Sequence, residues 1–224
     1  MISKKFSIFV ATFIGCGLCF AGGLAEFDVF LKSTEAGTLN FTQNIIRKKF
    51  DGTPRNIESK ARLEFHRPLS FRLEYAPPND YVFAADGVTL TMHDPLLNST
   101  TTHDQSTLMG KELLALMSSR SIEALQSEYD LRENSANGLD WVIVTPRATN
   151  NVIFTKILLG FQRNELTRLE TVDAHGDRNV YRISWESLAI PDVSRFKFSP
   201  PAGSDYEDKS EVSKPNSTSE VIRE

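Results

Sequence analysis

Cysteine is nearly missing from this chain: the two residues, Cys16 and Cys19, both lie close to the N-terminus. Beyond them no thiol chemistry is available, which removes thiolate nucleophiles, Cys-based metal sites and disulfides from consideration. A Cys-free body suits an oxidising compartment, where nothing can mispair. Long apolar runs are also lacking. The longest, Phe6 to Phe20, falls short of the roughly 20 residues that a spanning helix needs. There is no basic excess either: 25 Lys and Arg stand against 29 Asp and Glu, for a formal charge of −4. Phosphate affinity rests on Lys and Arg, so nucleic acid is a poor partner. No Gly-x-Ser-x-Gly elbow and no Gly-rich phosphate loop occur. Nothing here points to an enzyme or calls for a cofactor. Tryptophan is scarce at two residues, yet phenylalanine supplies 15. That surface needs either a core or a greasy pocket.

The first 25 residues read as a secretory signal peptide. Lys4 and Lys5 come first, no acid intervenes, the apolar run follows, and small residues end it at Gly23-Leu24-Ala25. An uncleaved anchor is the plain alternative. Lipid attachment at Cys16 is another, but Phe13 stands three residues before it, where Leu is usual. Cleavage after Ala25 removes both cysteines and two lysines, leaving a more acidic chain. Residues 26–203 then form one domain. Residues 204–224 are rich in Ser, Glu, Asp and Lys without an apolar face, and are expected to be a mobile tail. Asn98-Ser99-Thr100 and Asn216-Ser217-Thr218 match the glycosylation pattern, which is common by chance.

The body is predicted to be mainly β. Ala61, Leu63 and Phe65 alternate with Arg62 and Glu64; Phe71, Leu73 and Tyr75 alternate with Arg72 and Glu74; Val88, Leu90 and Met92 alternate with Thr89 and Thr91. Such period-two patterns mark strands with one wet and one apolar face. Asp86-Gly87 signals a hairpin with both turn residues at positive φ. Strands are expected over 141–145, 151–161, 166–172 and 180–185, with Asn137-Gly138, Asn164-Glu165 and His175-Gly176-Asp177 at their joints. Phe196 and Phe198 would face one way from a last strand. Helical spacing appears in Leu24, Phe27, Phe30 and Leu31, in Leu113, Leu114, Leu116 and Met117, and in Ile122 and Leu125. This implies a curved antiparallel sheet with helices on its concave side. Periodicity leaves open whether those helices plug an ordinary core or cover a pocket.

One ordered set of motifs is more specific. His66-Arg67-Pro68-Leu69-Ser70-Phe71-Arg72-Leu73-Glu74-Tyr75 precedes Pro77-Pro78, then Ala85-Asp86-Gly87-Val88-Thr89-Leu90 and His93-Asp94-Pro95-Leu96-Leu97. Phe41-Thr42-Gln43 lies upstream. Leu169-Glu170-Thr171-Val172-Asp173, Gly176 and Phe196-Lys197-Phe198-Ser199-Pro200-Pro201-Ala202-Gly203 lie downstream. In order and spacing this resembles the outer-membrane lipoprotein carrier family, LolA, over nearly the whole body. Leu73 stands where the family often has Trp, His93 where it often has Tyr, and Met109-Gly110 replaces a Pro-containing helix start.

The resemblance implies an incomplete antiparallel barrel with an α lid over an apolar cavity, and a periplasmic carrier of lipoprotein acyl chains. The donor would be the inner-membrane ABC transporter LolCDE and the acceptor the outer-membrane receptor LolB. Arg67 matches the arginine that latches the lid through lid carbonyls, a task suited to a rigid fork of donors. By itself Arg67 reads as a solvated strand-end charge. Phe71 matches an aromatic near the cavity mouth. Leu31, Phe41, Phe65, Leu113, Leu114, Leu116 and Met117 are further candidates for cavity or lid, although each type is more often simple core. A carrier of another amphiphile, such as a glycolipid, or a structural envelope protein would share the fold. His93-Asp94 and His103-Asp104 could in principle hold zinc, but solvated side chains are the commoner outcome. A monomer is expected.

Overall fold

The computed structural model describes residues 22–48 and 54–210. It opens with helix α1 (Gly23–Ser33), followed by strands β1 (Ala36–Lys48), β2 (Pro54–His66), β3 (Ser70–Tyr75), β4 (Val82–Asp86), β5 (Thr89–Asp94) and β6 (Ser99–Asp104). Three short helices come next: α2 (Gln105–Leu108), α3 (Lys111–Ser118) and α4 (Ile122–Gln126). Strands β7 (Tyr129–Ala136), β8 (Leu139–Pro146), β9 (Phe154–Gln162), β10 (Glu165–Asp173) and β11 (Arg178–Ser187) return, and β12 (Asp205–Asp208) ends the described chain.

All strands join one sheet in the order β12-β6-β5-β4-β3-β2-β1-β11-β10-β9-β8-β7. Among the described residues only the β12–β6 pair is parallel. The sheet is open, with β12 and β7 as its edges, so the barrel is incomplete. Register irregularities at Thr38/Leu39 and Leu166/Arg168 add local bend and twist to the long strands. Both edges carry charge (Asp130, Arg132 and Glu133 on β7, acidic residues on β12), which discourages pairing with another chain.

Turn chemistry fixes the hairpins. Asn137 and Gly138 both have positive φ, 55° and 75°, between paired Ala136 and Leu139, the two-residue turn that the strand twist favours. The β9–β10 turn uses Arg163 and Asn164, φ 54° and 64°, one residue earlier than the sequence suggests. At Asp86-Gly87 only Gly87 is left-handed, at 99°. Asp86 closes that loop by accepting the Val88 and Thr89 amides at 3.0 and 2.9 Å.

The helices fill the concave side. Phe27 and Leu31 of α1 pack against Val142, Leu159 and Phe161 of β8 and β9, together with Leu125 of α4. A second cluster joins Leu39, Phe41, Ala61, Phe65, Phe71, Ala85 and Leu90 across β1–β5. Met109 and Met117, from the lid segment, pack onto it. Trp185 and Ile183 of β11 touch both clusters. Gly37 lies under the Trp185 ring, where a Cβ would approach it to 2.8 Å.

Two expectations change at the C-terminus. Phe196 and Phe198 do not belong to a strand. Residues Val193–Phe196 form a 3-10 turn on the outer face. Pro191, Pro200 and Pro201 lack the N–H that a ladder requires. Instead Arg195 bonds Glu64 and reaches Glu74 at 3.3 Å, and Phe198 stacks on His93 with centroids 5.3 Å apart. Residues 204–210, polar enough to read as tail, instead run beside β6: Asp205 N–H donates to Asn98 O at 2.9 Å and Lys209 N–H to Thr102 O at 2.7 Å. Backbone pairing needs no apolar side chain, so composition does not announce it. The remainder of the expected tail and most of the expected leader lie outside the described residues.

Candidate functional site

The inner face is built by alternation. Along β1, Leu39, Phe41 and Gln43 point inward, opposite Leu63, Ala61 and Ser59 of β2. Along β3, Phe71 and Leu73 sit opposite Phe65 and Leu63, and Ala85 and Phe83 of β4 extend the rows. Under the lid this face is dry. Toward the rim opposite Arg67, Leu63, Leu73, Tyr75, Phe83 and Ile57 are half-exposed, leaving an apolar floor open to solvent. A hollow of about 530 Å³ lies among Thr42, Lys60, Arg62, Glu74 and Arg182, with Phe41, Ala61 and Tyr75 also bordering it. Most of its lining side chains alternate to the outer face, and they are charged or polar.

Arg67 follows β2, anchored by its own N–H donating to Glu35 O at 2.9 Å. Arg67 is 6% exposed, which corrects the reading of a solvated charge. Its guanidinium donates to Ser119 O, the C-cap carbonyl of α3, at 2.8 Å, and lies 5.3 Å from the Phe30 ring of α1. It therefore touches both lid helices. Burial pushes its pKa from the ordinary 12.5 down to about 10, with Arg120 adding repulsion and Glu35 offsetting part of it. Arg120, one residue beyond Ser119, pairs with both Glu35 carboxylate oxygens. A second clasp thus closes the same gap, and the Arg120 hydrogen bond holds Glu35 below its usual carboxylate range.

The candidate residues separate into two groups. Phe41, Phe65 and Phe71 are buried in the β1–β5 cluster, with Met117 packed on it. Leu31, Leu113 and Leu116 belong with α1 and β7–β10. Leu114 joins neither group and is half-buried. The division arises because α3 lies across the sheet and presents successive residues to each side. His93 and His103 cannot share a metal. His93 faces outward, with Nδ1 2.9 Å from Thr100 Oγ1, while His103 sits opposite inward Leu90.

Trp185, Glu35, Arg120 and Glu112 were not among the residues that the sequence singles out. Trp185 carries an aromatic signal, but its bridging role depends on the β11–β1 register. Glu112, in the first turn of α3, is fully buried, and neither carboxylate oxygen has a protein partner among the described residues. Glu26 of α1 is similar: Oε1 accepts the Asn164 N–H at 2.9 Å and buried Oε2 has no partner among them. Burial pushes the neighbouring Tyr129 hydroxyl up to about 12, with Glu112 adding to the shift.

The arrangement offers an apolar face, a helical cover and polar clasps, with no convergent catalytic set among the described residues. Among the described residues no helix is long and apolar enough to cross a membrane. The family model described as outer membrane lipoprotein carrier protein LolA matches residues 32–199. An outer-membrane lipoprotein carrier protein from Albidiferax ferrireducens is 35% identical over 84% of this chain and 92% of its own length. A protein of the same description from Methylibium petroleiphilum is 32% identical over 84% and 93%. A crystal structure of a LolA superfamily protein from Nitrosomonas europaea aligns with 79% of this chain and 96% of its own at a TM-score of 0.47 and 13% identity. The family match spans most of the chain, from the end of α1 through the outer-face segment, and on that ground this protein belongs to the outer membrane lipoprotein carrier protein family, LolA.

Proposed function

We propose that this protein is a periplasmic carrier that covers the acyl chains of lipoproteins released from the inner membrane and delivers them toward the outer membrane. The observation that carries this reading is the half-barrel with a dry inner face under a lid tied down through Arg67. Exposed acyl chains cost about 0.8 kcal/mol per CH₂ in water, so an aqueous transit needs such a cover. Lid opening would admit the chains to the Phe41–Phe65–Phe71 floor, with Met109 and Met117 repacking around them. The work is binding and release, without chemistry on the cargo.

LolCDE as donor and LolB as acceptor are the partners this role calls for, and the charged sheet edges support a monomer. Export requires the leader. Cleavage after Ala21, with Cys19 and Ala21 as the small residues before the bond, suits the fold better than cleavage after Ala25. Gly22 to Ala25 supply the first turn of α1: Glu26 N–H donates to Gly22 O at 3.2 Å, Leu24 N–H to Glu133 Oε2 at 3.1 Å, and Gly23 is buried against the Trp141 backbone.

Native mass spectrometry of the mature protein taken from the periplasm tests the proposal. A bound lipoprotein supports it. A bound glycolipid in its place would favour carriage of another amphiphile. A bare protein that also takes up no added lipoprotein overturns it.

A further inference from the structure

The inner stripe of β1 changes character at Gln43. Leu39 and Phe41 are apolar, but the next inward residue is an amide, only 7% exposed. Tyr75 O–H donates to Gln43 Oε1 at 3.0 Å. Gln43 Nε2 donates to the Tyr181 hydroxyl and to Asn179 Oδ1, both at 3.3 Å. Asn179 in turn donates to Thr171 at 3.3 Å. Phe41 stands edge-on to both tyrosines, with centroids 6.4 and 5.4 Å away. The polar group therefore borders the acyl floor directly, on the side away from Arg67.

This cluster has spare capacity of one kind. The Tyr181 hydroxyl accepts from Gln43 but donates to no acceptor among the described residues. Burial pushes both tyrosine pKa values up, so both hydroxyls keep their protons throughout the neutral range. A part-buried donor without a protein acceptor favours a ligand that supplies one over a ligand that cannot. Pure hydrocarbon supplies none. The carbonyl at the head of an acyl chain does.

We infer that Tyr181, held by Gln43 and backed by Tyr75, is a carbonyl-reading subsite that recognises the ester or amide linkage of an acylated cargo and sets how deep its chains lie. The inference rests on the acyl-carrier reading. Chains would extend from this point along Phe41, Phe65 and Phe71 toward Arg67. The site then selects acyl cargo over bare hydrocarbon.

The test uses the mature protein and two probes of equal chain length: a synthetic diacyl-ester lipopeptide and its dialkyl-ether analogue, which lacks the ester carbonyls. Wild type is expected to bind the ester roughly five- to tenfold more tightly. Tyr181→Phe, which removes only the hydroxyl oxygen, is expected to lower ester affinity to the ether level and leave ether affinity unchanged. Gln43→Leu should do likewise; Tyr181→Phe alone decides the matter if that variant fails to fold. Equal binding of the two probes by wild type overturns the subsite and leaves the carrier reading intact. So does an equal loss for both probes in Tyr181→Phe. Failure of folded wild type to bind either probe overturns both.

Discussion

Replacing Arg67 with leucine separates a latch from a structural pillar. In the closed lid the guanidinium makes one charge-assisted bond to Ser119 O, worth about 1.5–3 kcal/mol net. Its position against Phe30 adds on the order of 1–2 kcal/mol. Against this stands the cost of burying the charge. Burial, joined by Arg120 repulsion, lowers the pKa to about 10, a cost on the order of 3 kcal/mol at about 1.4 kcal/mol for each pH unit. The terms nearly cancel, so Arg67 holds the closed lid by about 2 kcal/mol at most. An apolar residue of similar reach is an acceptable replacement for a buried charge, and Arg67→Leu should shift the Tm by no more than a few degrees in a domain of this size. The effect on transport should be larger. The Ser119 carbonyl is available to Arg67 only when the lid is shut, so this bond favours the empty, closed state and helps expel cargo. Leucine has no such preference and also gains contact with acyl chains. Release of a bound lipopeptide to acceptor vesicles, followed by stopped-flow fluorescence, should slow severalfold. A Tm loss above about 10 °C would make Arg67 a pillar of the fold. Unchanged release would remove the latch.

Three further outcomes follow from the lid. Glu35 is held below its ordinary 4.5, chiefly by the Arg120 hydrogen bond. A depressed carboxylate contributes above its unperturbed pKa and loses that contribution as pH falls through the depressed value. Hydrogen exchange near Ser119 should therefore be flat from pH 7 to 5 after correction for intrinsic rates and rise in stronger acid, and Glu35→Gln should abolish the rise; a rise above pH 5 would contradict this. Glu112→Gln replaces a buried carboxylate that has no protein partner among the described residues and should stabilise the protein by about 1 kcal/mol in urea denaturation. A destabilisation would show that the carboxylate is satisfied in a way the protein contacts do not reveal. Intact mass of the exported chain should correspond to a start at Gly22. A start at Glu26 would mean that the first turn of α1 is dispensable.

The elements that sequence makes legible are those where one face is dry and the other wet. β2 and β3 alternate cleanly because Arg62, Glu64, Arg72 and Glu74 form an outer-face ion network while Phe65 and Phe71 face the lid. α1 is legible because Phe27, Phe30 and Leu31 recur on one side. β6 is not, since Ser99, Thr100, Thr101 and Thr102 carry no contrast between faces; its inward side abuts β5 near the edge and its outward Thr100 and Thr102 are covered by the returning C-terminal segment. The alternation of Phe196 and Phe198 misleads for a related reason. Both side chains cover the outside of β3–β5, so they are apolar without belonging to a ladder. The hydrogen bond from Arg67 to Ser119 joins residues far apart in sequence, and no local pattern encodes it. Family likeness points to Arg67, whereas its burial and the Arg120–Glu35 clasp require the fold.

A lid over a greasy face has a design problem that these contacts address. Apolar burial alone gives strong closure: fully buried Phe27 and Leu31 would each hold α1 down by about 1.5–3 kcal/mol, and partly buried Met117 adds to this on α3. The lid interface instead includes charged groups that lose hydration when it shuts. Glu112 is buried with no protein partner, and Glu26 with one of its two oxygens unpartnered, among the described residues. Each makes closure less favourable than an apolar residue would, and each would regain water if its helix lifted. The result is a cover whose closed and open forms are closer in free energy than its apolar content suggests. A carrier must accept cargo from one membrane and surrender it at another without an energy source of its own, and this balance permits both steps.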